Sequence, residues 1–127
     1  MTVTSAGMTT ALHGLQQALD APRQPAAALG SWRWTVRQRM AAVRDVLVAE
    51  AASPGEGSLA AREGSMLRER TALLGRMSTL GPQVLESPRV EQVRGELHRL
   101  VVDIGRHGQR LHDLAYDEVE LELGGSE

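Results

Sequence analysis

Histidine is the residue best equipped for chemistry in a chain that contains no cysteine, lysine or phenylalanine, and three of its four histidines fall between positions 98 and 112. An imidazole near its usual pKa can move a proton at neutral pH or take a metal. His107 stands apart from the others. It continues the heptad seam of Val90, Val93, Leu97, Leu100 and Ile104, so it should face an interior while carrying a polar ring. Asp103 lies one helical turn earlier, near enough to hold that ring in one orientation. Glu63 and Arg70 share a row with Leu59, Met66, Leu73 and Leu80 on the preceding segment and should face the same interior. The chemistry available there is a small polar site in which Asp103 orients His107, with Glu63 or Arg70 beside it, to bind a ligand or handle a proton. The plainer expectation is a buried histidine and ion pair that set the packing register.

Other chemistries are excluded more firmly. Without cysteine there are no disulfides, thiolate metal sites or thiol nucleophiles. No nucleophile elbow, phosphate-binding loop or dinucleotide fingerprint occurs. His98 through Asp103, HRLVVD, matches the HxxxxD spacing of the last helix of hemerythrin-like proteins, and that resemblance implies a metal- or ligand-binding four-helix bundle. Further histidine and carboxylate pairs on the middle helices would have to complete it. No histidine occurs between positions 22 and 97, and the ExxH pairs of ferritin-like bundles are absent. His98 and His112, fourteen apart, fall on an outer row of the last helix. No metal, cofactor or catalytic residue is expected, and the chain reads as a non-enzyme.

The elements that would position these residues are helices. Met8, Leu12, Leu15 and Leu19 mark a short first helix that ends before Pro22, with residues 1–7 frayed or disordered. Leu29, Trp32, Val36, Met40, Val43 and Leu47 stripe a second helix from Ala26 to about Ala52. Ser53-Pro54-Gly55 breaks the chain, and Ser58 is placed to cap a third helix that buries Leu59, Met66, Leu67, Leu73, Leu74 and Met77. Gly81-Pro82 should stop that helix at about Leu80, and Ser87-Pro88 should open the fourth. The fourth should reach Glu118 or beyond, with 119–127 a frayed end or tail and Gly124-Gly125 a late stop. Gly64 and Gly75 fall on one stripe that would admit a neighbouring helix closely. Short connections favour antiparallel neighbours. The expectation is one all-α domain over 1–127, an antiparallel up-and-down bundle of three long helices and one short N-terminal one.

Trp34 has no place in that core. Two positions from Trp32, it leaves the helix on roughly the opposite face, at about 100° per residue. Beside Arg33 and Arg37 it reads as an interface anchor, a role in which tryptophan and arginine are enriched. Charge points the same way. Up to His112 there are 14 arginines against 10 acids, and from Asp113 onward 6 acids and no base, so a basic body carries an acidic end. Asp113, Tyr116, Asp117 and Glu118 form a second candidate surface. Nucleic acid is not an expected partner, because Arg44, Arg62 and Arg68 each precede an acid.

The end HGQRLHDLAYDEVELELGGSE resembles the ends of small helical proteins of GC-rich bacteria, to which no activity is attached. The arginine-rich, lysine-free composition agrees with such a genome. No leader is evident, and no apolar run approaches the roughly 20 residues that span a bilayer. The expected home is the cytoplasm, and the expected role is a protein-interaction or regulatory module that forms a homodimer or binds another protein. The second reading is a ligand- or metal-binding bundle of hemerythrin-like descent, with a remnant polar site at His107 and Asp103.

Overall fold

The structure, a computed structural model, describes the backbone of residues 2–50 and 60–125 and the side chains of residues 6–50 and 64–113. Ser53 to Leu59, including the proposed cap Ser58, lie outside the described residues. So do the side chains of Glu63, Leu114, Tyr116, Asp117 and Glu118. The described chain is all helix: α1 Thr2–Leu19, α2 Ala26–Ala49, α3 Ala60–Glu86 and α4 Val90–Gly125. Each helix packs against two others, α1 on α2 and α4, and α3 on α2 and α4. No described helix is long and apolar enough to cross a membrane.

The apolar stripes enclose one core. Met8, Leu15 and Leu19 from α1 meet Trp32, Val36, Met40, Val43 and Leu47 from α2. Leu73, Met77, Leu80 and Val84 from α3, with Val93, Leu97, Leu100 and Ile104 from α4, close it. Several of these side chains are wholly withdrawn from water, and burying each stabilises the fold by roughly 1.5–3 kcal/mol before chain entropy is counted.

Four local expectations need correction. The first helix is not short: nothing between Thr2 and Met8 breaks it, and it runs 18 residues. The last helix continues through residues 119–123 to Gly125 instead of fraying at 119. Leu67 is half exposed, not buried, because at about 100° per residue it stands roughly 120° around α3 from the buried Leu73. A Cβ at Gly75 would meet nothing within 4 Å, and one at Gly64 would meet only Arg68, so neither glycine admits a close helix.

Pro82 gives the most informative difference. Gly81-Pro82 does not stop α3, which runs on to Glu86 with the proline inside it. Proline removes one backbone donor and crowds the carbonyl four residues back. Here both Pro82 and Ser78 face solvent, where water can serve the orphaned carbonyl. In return, the added turn buries Val84 completely. It also presents two C-terminal carbonyls to Arg33, whose guanidinium donates to Val84 O at 2.8 Å and Ser87 O at 2.9 Å. A cation at the negative end of a helix dipole adds to both bonds.

Candidate functional site

His107 is buried, without measurable exposure, at the end of the core seam. Its two ring nitrogens do not meet Asp103. Nδ1 lies 2.6 Å from Glu69 Oε1, and Nε2 lies 3.0 Å from Glu50 Oε2. Glu50 is the C-cap of α2, Glu69 belongs to the early part of α3, and the ring projects from α4, so one imidazole joins three helices. Arg110, one turn further along α4, donates from Nε to Glu69 Oε1 at 3.2 Å and from Nη2 to Glu69 Oε2. The result is a four-residue chain of alternating charge: Glu50, His107, Glu69, Arg110.

Asp103 turns the other way and takes an ion pair from Arg76 Nη1 at 2.8 Å. The reason is register. Asp103 shares a helix with His107, but Arg76 and Glu69 stand at the levels of α3 that face Asp103 and His107. A charged partner across the interface wins over a like-helix contact that must bend to form. Arg70 is half-buried, and neither it nor Asp103 meets the ring of His107, whose two nitrogens face Glu50 and Glu69. The sequence reading missed Glu50, Glu69 and Arg110. Glu50 was open to detection: it stands seven and fourteen residues after Val43 and Val36, both wholly buried, and so continues their row.

Burial alone would push His107 down, since it disfavours the charged ring. The hydrogen bonds to Glu50 and Glu69, and the charges behind them, outweigh it and hold the pKa above the usual 6.5. For Glu69, burial alone would push the carboxyl up. The bonds from Arg110 and His107 reverse that, and it sits below the usual 4.5. The sign of the pH dependence follows. The raised histidine contributes stability that is complete below about 6.5 and lost as pH rises through its folded value; the lowered glutamate contributes stability present above about 4.5 and lost as pH falls through its folded value. Thermal unfolding across pH should therefore show a plateau between about 4.5 and 6.5, followed by a decline as pH rises beyond 6.5 toward the folded histidine value. A melting temperature that stays level as pH rises from 6.5 into the alkaline range would contradict it.

A second cluster ties the other end of the bundle. The Leu19 carbonyl, at the C-terminus of α1, accepts from Trp32 Nε1 at 3.2 Å, Arg94 Nε at 2.8 Å and Arg23 Nη1 at 3.3 Å. Arg94 also pairs with Asp20 at 2.8 Å, and Arg23 with Glu91 at 2.6 Å. His98 does not lie on a free outer row. It is half-buried, with Nδ1 3.2 Å from the Gln16 amide and Nε2 3.5 Å from Asp20. The Gln16 amide first, then Arg94 and His98 against a smaller opposing effect of burial, hold Asp20 below the usual carboxylate range. Among the described residues no group of three or more histidines and acids is placed to hold a metal ion. Two surface clefts, one between α3 and α4 of about 550 Å³ and one of about 480 Å³ where the α1–α2 loop meets Val90, leave His107 untouched.

The interface candidates separate. Trp34 is 62% exposed. Arg33 is not beside it as an anchor but is committed to the end of α3. Arg37 is half-buried, with its guanidinium lying over Gly81: a Cβ there would come within 3.3 Å of Nε. Both arginines follow the α3-facing side of α2, whereas Trp34 points outward. Asp113 is exposed and accepts from its own helix neighbour Gln109 at 3.1 Å. Set against known protein families, curated proteins and solved structures, the chain finds no match in any of the three.

Proposed function

We propose that this protein is a non-catalytic interaction module of the cytoplasm, an antiparallel up-and-down bundle that pairs with a second copy of itself through the outer face of α2 and α3. The antiparallel reading is supported by how partners run. Along α3 and α4, Glu69 meets Arg110 and Arg76 meets Asp103, so position rises on one helix as it falls on the other. Along α2 and α3, Arg33 reaches Val84 and Ser87, while Glu50 and Glu69 meet through His107.

One observation carries the docking role. Of the five large apolar side chains exposed among the described residues, four belong to α2 and α3: Trp34, Val48, Leu67 and Leu85. At about 100° per residue, Trp34 and Val48 stand within about 60° of Arg37, and Leu67 and Leu85 within about 40° of Gly81. Arg37 over Gly81 marks the line where α2 meets α3, so the four flank one groove from the outside. Exposed apolar residues scattered singly need no explanation, but four along one helix pair form a surface worth covering. Arg44, exposed and close to the direction of Arg37, gives that face a polar rim.

The test is sedimentation velocity at micromolar concentration. Trp34→Ala should weaken the dimer by about 2 kcal/mol or more, roughly thirtyfold, if the indole sits at the centre of the contact. A wild-type chain that stays monomeric, or a variant that dimerises unchanged, would remove this reading. A mass increment on the native protein that survives buffer exchange would favour the ligand-binding alternative.

A further inference from the structure

The cluster at His107 contains a proton that the docking role does not use. A neutral imidazole has one N–H donor and one bare nitrogen that accepts. His107 places a carboxylate oxygen within 3.0 Å of both nitrogens, in a position sealed from solvent. With a neutral ring, one of those contacts would set a lone pair against a carboxylate, and a buried mismatch of that kind is costly. With an imidazolium, both nitrogens donate, and every buried polar side-chain atom in the described structure has a partner.

We propose that His107 is a proton-operated latch: its imidazolium fastens the C-terminal end of α2 and the early part of α3 onto α4, and loss of the proton to solvent base at alkaline pH loosens that end of the bundle.

The surrounding charges define what the latch does. From α2 it faces Glu50, 6% exposed at the side chain; from α3 it faces Glu69, 27% exposed. On α4 itself Arg110 supports Glu69, and Asp103 is turned away to Arg76. On α1 the one titratable side chain, His13, lies at the surface. Glu69 therefore keeps a cation when the ring loses its proton. Glu50 has no second cation among its described contacts, so the neutral ring cannot satisfy both acids and the α2 end is no longer tied to both other helices. Val48 and Leu67 stand two residues before Glu50 and Glu69, so an open latch would respace one end of the apolar face. That consequence, unlike the latch, rests on the docking role proposed above.

The test is ring-nitrogen NMR of the full chain, titrated between about pH 5 and pH 10, with amide exchange followed at residues 46–50. The latch predicts both ring nitrogens protonated at neutral pH, and a midpoint above the usual histidine value of about 6.5. Past that midpoint, amide protection near Glu50 should fall about tenfold or more for each unit by which the midpoint exceeds that value. A ring carrying one proton at neutral pH would overturn it. Glu50→Gln is the control that keeps the shape: its amide can donate to a bare Nε2, so the midpoint should fall and the alkaline loosening should disappear. A midpoint unmoved in Glu50→Gln would also overturn the latch. Neither readout depends on whether the chain dimerises.

Discussion

In the monomer, at concentrations too low for the chain to pair, Trp32→Ala should lower the unfolding free energy by about 3–5 kcal/mol, while Trp34→Ala, two residues away, should change it by no more than about 0.5 kcal/mol. Trp32 is 2% exposed and Trp34 62%. Removing Trp32 leaves a cavity where α1, α2 and the core meet, and it takes away one of the three donors on the Leu19 carbonyl. Small domains are stable by only about 5–15 kcal/mol in total, so the alanine variant will sit near its unfolding threshold. Trp32→Phe separates the two contributions. It keeps most of the buried ring but deletes the N–H, and Arg94 and Arg23 still serve Leu19, so its cost should be about 1–2 kcal/mol. Urea unfolding of the three variants checks the set. Equal costs at positions 32 and 34 would mean that the helix is rotated from the orientation described here.

The second large effect concerns His107→Leu. The leucine would complete the apolar heptad of α4 and, by pattern alone, should stabilise the helix. The structure predicts the reverse, a loss of about 3–5 kcal/mol, because the substitution strands Glu50 in the interior with no cation. Combining it with Glu50→Leu should recover most of that loss, since a buried ion pair replaced whole by apolar groups is often neutral or stabilising. Glu69 remains paired with Arg110 in both variants, so it should not mask the recovery. The measurement is the coupling free energy from a double-mutant cycle in denaturant. Costs that simply add would show that His107 and Glu50 do not act as a unit. The cluster would then be two separate surface-facing acids beside a packed ring.

Both predictions draw on the same feature of this bundle, the use of long polar side chains to finish what the apolar stripes begin. Arg33 ends α3, Arg94 and Arg23 end α1, and His107 with Glu50 ends α2. Three of the fourteen arginines are therefore spent within the chain on helix C-termini, where a cation meets the negative end of the dipole. Such arginines are unavailable to phosphates or to a partner.

What the residues alone determined is whatever depends on neighbours along the chain. The 3.6-residue period made the α2 stripe legible residue by residue, from Trp32 to Leu47, and the outward placement of Trp34 followed from the same arithmetic. The burial of His107 was legible too, because the heptad through Leu100 and Ile104 passes through it. What only tertiary structure decided is which groups meet across helices. Asp103 looked like the partner of His107 because a contact one turn away is visible in sequence, but Arg76 on α3 claims it. Glu50 and Glu69 lie 57 and 38 residues from the histidine, and no local pattern sets the register that brings them together. Gly81-Pro82 reads as a stop for the same reason. The cost of a proline inside a helix is local and visible, whereas the burial of Val84 and the reach of Arg33 that offset it come from the rest of the fold.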